Sequence, residues 1–300
     1  MIYTFTLSPA LDYVMNVPFL SYDDINRASS EKLFYGGKGI NVSSVLHELL
    51  VDSVSLGFIG GFTGKELVRL MAKDGLKSDF TEISGGNTRI NVKLRFDGEL
   101  DINAAGPSVS QEELNELFKK LDKIKSGDCV VLSGSVPSSL PDDIYGQILE
   151  RLSDKNVRAA VDTTGKRLLD TLCRKPFLIK PNHHELAEMF GKKELTYAEI
   201  TEYGKELQNR GAQNVIVSCG EKGAVLIDES GRVTCADAVK GRLINSVGCG
   251  DSMVAGFLAG MELKNDIEYA FRLSVACSAA TAFSEGLGKE DLIYEILKKL

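Results

Sequence analysis

An α/β fold on a central, mostly parallel sheet is predicted by two features of this chain. Short apolar runs that end in turn residues recur from the middle onward, at Cys129 to Gly134, Val157 to Thr163, Pro176 to Pro181 and Asn214 to Gly220. Amphipathic stretches of helical period lie among them, at Gln111 to Ile124, Asp142 to Ser153 and Tyr197 to Arg210. Strand, helix, strand at this spacing makes a parallel sheet with helices on both faces. A chain of 300 residues, 43% hydrophobic and 26% charged, can bury such a core without staples, as one large domain or two smaller ones. Ligands bind such sheets at the C-terminal ends of the strands. Ser133-Gly134-Ser135, Lys180-Pro181-Asn182 and Ser218-Cys219-Gly220 all fall there.

Along the chain, Leu11 to Val17 and Ser29 to Phe34 alternate weakly and do not fit the strand–helix repeat. Tyr35-Gly36-Gly37-Lys38-Gly39-Ile40-Asn41 is a glycine cluster opening a helix predicted over Asn41 to Leu50. Its glycines allow close backbone approach to a small polar ligand beside a lysine charge. Gly61-Phe62-Thr63-Gly64-Lys65-Glu66 has the look of a phosphate loop but lacks the leading glycine and the metal-binding hydroxyl. Thr88 to Phe96 alternates strictly and turns at Asp97-Gly98-Glu99, which predicts a hairpin. Arg89, Asn91, Lys93 and Arg95 share one face; Ile90, Val92, Leu94 and Phe96 share the other. The polar face reads either as a solvated strand face or as a phosphate-gripping lid.

Near the C-terminus, Gly248-Cys249-Gly250-Asp251 lies where a loop becomes a helix, the helix resting on the small and apolar run Met253 to Met261. Glycines turn backbone N–H groups toward one point, and a helix N-terminus adds partial positive charge there. Such a place binds a phosphate or a developing anion. A carboxylate beside it suits phosphoryl transfer to a hydroxyl, the acid taking the proton while the amides hold the transferring group. The alternative is that Asp251 caps the helix and the glycines only turn the chain.

The net charge of −7 disfavours non-specific binding to nucleic acid or an anionic membrane, so an anionic substrate needs local cations and backbone amides. No apolar run is long enough to span a bilayer, and Met1 to Leu11 lacks the marks of a signal peptide, so a cytoplasmic location is expected. None of the six cysteines forms a C-x-x-C pair; buried free thiols are expected rather than a zinc site or a disulfide framework. His183 and His184 are adjacent and are expected to diverge. Met253 breaks the dinucleotide fingerprint that Gly248 begins, which disfavours a nicotinamide dehydrogenase.

The glycine cluster at Gly36 to Asn41 and the Gly-x-Gly-Asp at 248–251 together resemble the two signatures of the ribokinase-like sugar kinases, the PfkB family. Leu7 to Asp12, Ser133 to Pro137, Lys180 to Glu185 and Ser218 to Gly223 extend that resemblance along the chain. Within the family, Thr88 to Lys93, Gly134 to Asp143 and Asn245 to Gly248 are similar to the bacterial 1-phosphofructokinases. The resemblance implies a ribokinase-like three-layer sandwich over 1–300 as a single kinase domain, with a small β-sheet lid from segments near 11–18, 28–36 and 88–105. It implies ATP-dependent transfer to a ketohexose phosphate, fructose 1-phosphate giving fructose 1,6-bisphosphate, with Mg²⁺ as cofactor and a homodimer through the lid.

It also implies roles. Asp251 would be the base, and the amides of Gly248, Cys249 and Gly250 the anion hole. Asp12, Gly37 and Asn41 would hold sugar hydroxyls. Lys38, Arg89 and Lys93 would hold the substrate's phosphate, with Arg27 a weaker candidate, and Ser135 would also be a substrate-binding residue. Lys180, Asn182 and Ser218, with Gly220 to Gly223, would border ATP. Glu185 would place Mg²⁺ through water, although Asn182 and Glu185 equally suit a helix cap and a first-turn acid. Cys249 stands where the family mostly has Ala or Ser, and an exposed thiol there would be open to oxidation. Rivals are a tagatose-6-phosphate or fructose-6-phosphate kinase and, in another class, a sugar-phosphate-binding regulator without activity.

Overall fold

The computed structural model describes residues 1–300. The first third of the chain forms β1 (Ile2–Thr6), β2 (Ala10–Asn16), β3 (Ser30–Gly36), α1 (Lys38–Glu48), β4 (Ser53–Gly60), α2 (Gly61–Lys73), β5 (Lys77–Ser78), β6 (Thr81–Ile83), β7 (Arg89–Phe96) and β8 (Gly98–Asn103). The middle forms α3 (Gln111–Leu121), β9 (Cys129–Ser133), α4 (Ile144–Arg151), β10 (Arg158–Asp162), α5 (Gly165–Thr171), β11 (Leu178–Ile179), α6 (His183–Met189) and α7 (Tyr197–Asn209). The rest forms β12 (Asn214–Ser218), β13 (Ala224–Ile227), β14 (Val233–Ala236), α8 (Cys249–Lys264), α9 (Ile267–Ala282) and α10 (Glu290–Leu297).

Ten strands make the main sheet, in the order β14-β13-β12-β11-β10-β9-β1-β4-β5, with β6 paired to β4. All its pairings are parallel except β12–β13 and β13–β14 at one edge. The apolar runs are buried on both faces because their residues alternate between two cores. Val130 and Leu132 face the core shared with α3 to α7, whereas Cys129 and Val131 face the one shared with α1, α8, α9 and α10. This is the three-layer α/β arrangement that the sequence predicts. Helices α3 and α7 begin at capping boxes, Ser110 with Glu113 and Thr196 with Glu199. Helix α1 starts three residues before the predicted Asn41. Gly39 lies inside it, where a Cβ would come within 2.5 Å of the Phe5 carbonyl oxygen, so its first turn seats directly on the end of β1.

The second sheet has four strands in the order β3-β2-β7-β8, with β2 and β7 parallel and the outer pairs antiparallel. The predicted hairpin is β7–β8. Its polar face is not the solvated one. Asn91 is 8% exposed, and the side chains of Lys93 and Asp12 are 14% and 19% exposed. Apolar Ile90, Leu100 and Ile102, on the opposite face, are 38%, 40% and 55% exposed. The polar face is turned inward, toward the C-terminal edge of the main sheet, which Arg89 touches through Ser8 and Ser135.

Two smaller expectations are corrected. Cys173 and Cys235 are exposed rather than buried, because one follows the last turn of α5 and the other lies on the edge strand β14. The His183 and His184 rings do not diverge; their centroids lie 3.9 Å apart. Even so, no group of three or more His, Cys, Asp or Glu gathers as a metal site. No helix is long and apolar enough to cross a membrane.

Candidate active site

Strand register brings the site together. Thr6 pairs with Ser133 and Ser133 with Asp162, while Val161 pairs with Ile179. Lys180, one residue beyond β11, therefore emerges beside Asp162. Ser218 at the end of β12 forms an isolated bridge with Asn182. The strand ends named from sequence thus lie along one edge, as the parallel topology requires.

Gly248 precedes the first residue of α8, and its φ of 84° lies in the left-handed region that glycine adopts freely. No side chain caps the helix, so its first N–H groups, which lack intrahelical acceptors, are available to an anion. The capping alternative for Asp251 is not what forms. Its carboxylate instead accepts a hydrogen bond from Asn41 Nδ2 at 2.8 Å, a contact made across 210 residues of sequence. Asp251 is only 5% exposed. Burial, and after it the nearby negative charge of Asp162, push its carboxyl up to about 7, against the pull of Asn41, Lys38 and Lys180. A carboxyl held there is matched to taking a proton near neutral pH.

Asp162 is the residue the sequence reading passed over. It is 3% exposed, and its two oxygens pair with Lys38 Nζ and Lys180 Nζ, each at 3.3 Å. Both lysines hold its carboxyl below the usual carboxylate range despite burial. The available signal was an acid ending a buried apolar run at the ligand-binding edge. Lys180 lies against the α8 turn: a Cβ on Gly250 would stand 2.9 Å from its Nζ. Lys38 packs against the Gly134 turn and also feels the charge of Glu185.

On the second sheet, Asp12 accepts from Asn91 Nδ2 at 2.8 Å and pairs with Lys93 Nζ at 3.0 Å. The charge of Lys93 is thus engaged by Asp12, and Lys38 by Asp162. Arg89 differs. Its guanidinium donates to the Ser8 and Ala104 carbonyls at 3.0 and 3.2 Å and to Ser135 Oγ at 3.4 Å, and it pairs with no carboxylate. Burial lowers its pKa, with Asp12 opposing. It is a fixed, half-buried cation that lacks an anion. Arg27 lies on the exposed segment between β2 and β3, away from these contacts.

At the other end, Asn182 Oδ1 accepts from the Glu185 amide and Glu185 Oε2 accepts from the Asn182 amide, both at 2.8 Å, so this pair forms a complete capping box. Glu185 Oε1 stays outside that box. One carboxylate oxygen left outside the box, on a residue whose charge reaches Lys38, fits Mg²⁺, which takes one or two carboxylates, phosphates and several waters. The Gly220 to Gly223 loop closes on itself through the Cys219 amide and the Gly223 carbonyl at 2.8 Å. Cys249 is half-buried, and burial, with Asp251 beside it, pushes its thiol up to about 11. A thiol held that high carries little thiolate at neutral pH, which opposes the oxidation expected of an exposed thiol there.

The family described as pfkB carbohydrate kinases matches residues 6–292. A 1-phosphofructokinase of Bacillus subtilis is 45% identical over 300 residues, covering 100% of this chain and 98% of its own. A D-tagatose-1-phosphate kinase of Bacillus licheniformis is 38% identical, covering 96% of this chain and 94% of its own. The structure of Escherichia coli phosphofructokinase-2 in complex with fructose-6-phosphate superposes with a TM-score of 0.92 at 26% identity, over 100% of this chain and 98% of that one.

Proposed function

We infer the reaction from one premise: the chain belongs to the pfkB family of carbohydrate kinases, so its chemistry is transfer of a phosphoryl group to a sugar hydroxyl. The acceptor is a ketohexose 1-phosphate, and the assignment is fructose 1-phosphate with ATP to fructose 1,6-bisphosphate and ADP. The observation that carries it is Asp251, buried beside uncapped helix amides with its carboxyl raised to about 7.

Asp251 takes the proton of the attacking hydroxyl. The new bond joins that oxygen to the γ-phosphorus, and the bond from γ-phosphorus to the bridging oxygen breaks as ADP leaves. The amides of Gly248, Cys249 and Gly250 hold the transferring oxygens, where aligned N–H dipoles need no rearrangement. Asp12, Gly37 and Asn41 hold the sugar, with Asp12 oriented by Asn91 and Lys93. Arg89 and Ser135 hold the existing phosphate, and Lys38 faces the same side. Lys180, Asn182, Ser218, Gly220 and Gly223 border the nucleotide. Mg²⁺, held by Glu185 through water, would neutralise phosphate charge. Glu185→Gln should raise the Mg²⁺ concentration for half-maximal rate; an unchanged Mg²⁺ titration would leave Glu185 as a helix-cap partner only.

A second acceptor, D-tagatose 1-phosphate, is favoured by the similarity to the B. licheniformis enzyme. An ADP-release assay across fructose 1-phosphate, tagatose 1-phosphate, fructose 6-phosphate and tagatose 6-phosphate decides. The expected order puts fructose 1-phosphate highest in kcat/KM, and a 6-phosphate in first place would refute the assignment.

The lid and a homodimer belong to the same proposal. Ile90, Leu100 and Ile102 form an exposed apolar face on a four-stranded sheet, and packing it on a second copy would remove it from water. Light scattering should give twice the 32.6 kDa chain mass at micromolar concentration, and a monomer there would count against the clasp.

A further inference from the structure

We propose that Asp162 is a positioning residue for the transfer, a single buried carboxylate that ties the acceptor-side cation, Lys38, to the nucleotide-side cation, Lys180. The proposal rests on Asp251 being the base. Each Asp162 oxygen takes one lysine at 3.3 Å. Lys38 is the first residue of α1, the helix that also supplies Asn41 to Asp251. Lys180 lies against Gly250 in the anion-binding turn. The carboxylate therefore joins the element that orients the base to the turn that holds the transferring group. The register of β9, β10 and β11 delivers it there.

The physical argument is one of cost. Taking the charges of Asp162 and Lys180 out of water is expensive, and a buried ion pair is weak evidence of stabilisation; Lys38, its side chain 39% exposed, bears less of that cost. A lysine 6% exposed and a carboxylate 3% exposed give little reason to persist as packing alone. Their geometry supplies a reason. Two flexible ammonium groups are fixed by one rigid acceptor, so neither collapses onto Asp251 before phosphate arrives. Without Asp162, both lysines could move to the Asp251 carboxylate and neutralise the base.

The charged and titratable groups around the pair come from every packed element. Lys38 comes from α1, Lys180 from the end of β11 and Cys249 from the α8 turn. Glu185 of α6 acts on Lys38. The Tyr145 hydroxyl of α4, bonded to the Ser133 and Gly134 carbonyls, feels the charges of both Asp162 and Arg167 of α5. Removing the Asp162 charge deletes the main like charge acting on Asp251 and frees two cations toward it. Both changes lower the proton affinity of Asp251.

The test combines Asp162→Asn with the double variant Asp162→Asn/Lys180→Gln, which removes the lysine that the single variant leaves buried beside a neutral partner. Three quantities are read: the Asp251 carboxyl titration by carbon NMR in ligand-free protein, the binding constant for ADP, and kcat with each KM. Loss of one resonance in Asp251→Asn assigns the signal. In Asp162→Asn the midpoint should fall from about 7 by roughly one pH unit or more. ADP binding and the sugar-phosphate KM should each weaken by about tenfold, and kcat should fall about 10²-fold as the cations lose position. In the double variant the midpoint should return toward the wild-type value while kcat stays low. A midpoint, ADP affinity and kcat unchanged in both variants would overturn the proposal, as would full recovery of kcat in the double variant. Failure of the base assignment would look different: Asp251→Asn would turn over normally, while the carboxyl titration would still respond to Asp162.

Discussion

Asp251→Asn is expected to lower kcat by roughly 10²–10⁴, with substrate binding changed far less. Asparagine keeps the size of the side chain and its contact with Asn41 but cannot take a proton. The pH dependence follows from the same burial. A carboxyl raised to about 7 in the folded protein is protonated below that value, so kcat/KM of the wild type should climb as pH rises through about 7. Stability has the opposite sign. The folded value lies above the unfolded one near 3.8, so the folded state holds the proton more tightly. The charged form then penalises folding increasingly from the unfolded value up through about 7, and fully above it. Asp251→Asn escapes that penalty and should melt at a higher temperature than the wild type at pH 8 while being nearly inactive. Near-normal turnover in a folded Asp251→Asn protein would remove the base assignment. An unchanged melting temperature at pH 8 would show that Asp251 ionises there without cost.

Arg89→Ala is the other large effect. The guanidinium is fixed by two carbonyls and Ser135 and has no carboxylate partner, so on the proposed reading a bound phosphate would supply the missing anion. KM for the sugar phosphate should rise by one to several orders of magnitude, the equivalent of about 2–5 kcal/mol for a charged hydrogen-bond pair. KM for ATP should move little, because Arg89 bonds Ser8, Ala104 and Ser135 and none of the residues proposed to border the nucleotide. Unphosphorylated fructose should be a poor substrate for the wild type and no worse for the variant. Arg89→Lys should recover only part of the loss, since a lysine is a point charge without the planar fork. A KM for fructose 1-phosphate unchanged in Arg89→Ala would make Arg89 a strut between β7 and the Ser8 carbonyl.

Much of this was legible in the chain. The buried runs at Cys129 and Asn214, the helices at Gln111 and Tyr197, and the hairpin turning near Asp97 all have local causes, namely periodicity and turn residues. Asp251 was legible too, because the glycines that shape its turn are its neighbours. What local pattern left open was the polar face of β7. Alternation shows that Arg89, Asn91 and Lys93 share a face, but not which face meets water. The structure turns those residues inward and leaves Ile90 outside.

By itself, then, the sequence determined the α/β class, the parallel running of the buried strands, and the two glycine turns that mark the site. These depend on residues within a few positions of each other. Only the tertiary structure decided the company each charge keeps. Asn41 reaches Asp251 across 210 residues and Lys38 reaches Asp162 across 124. Lys93 is engaged by Asp12, while Arg89 is left without an anion. Ionic partners are set by which strand ends and helix starts the sheet register places side by side. That register is a property of the whole sheet, so no single segment encodes it.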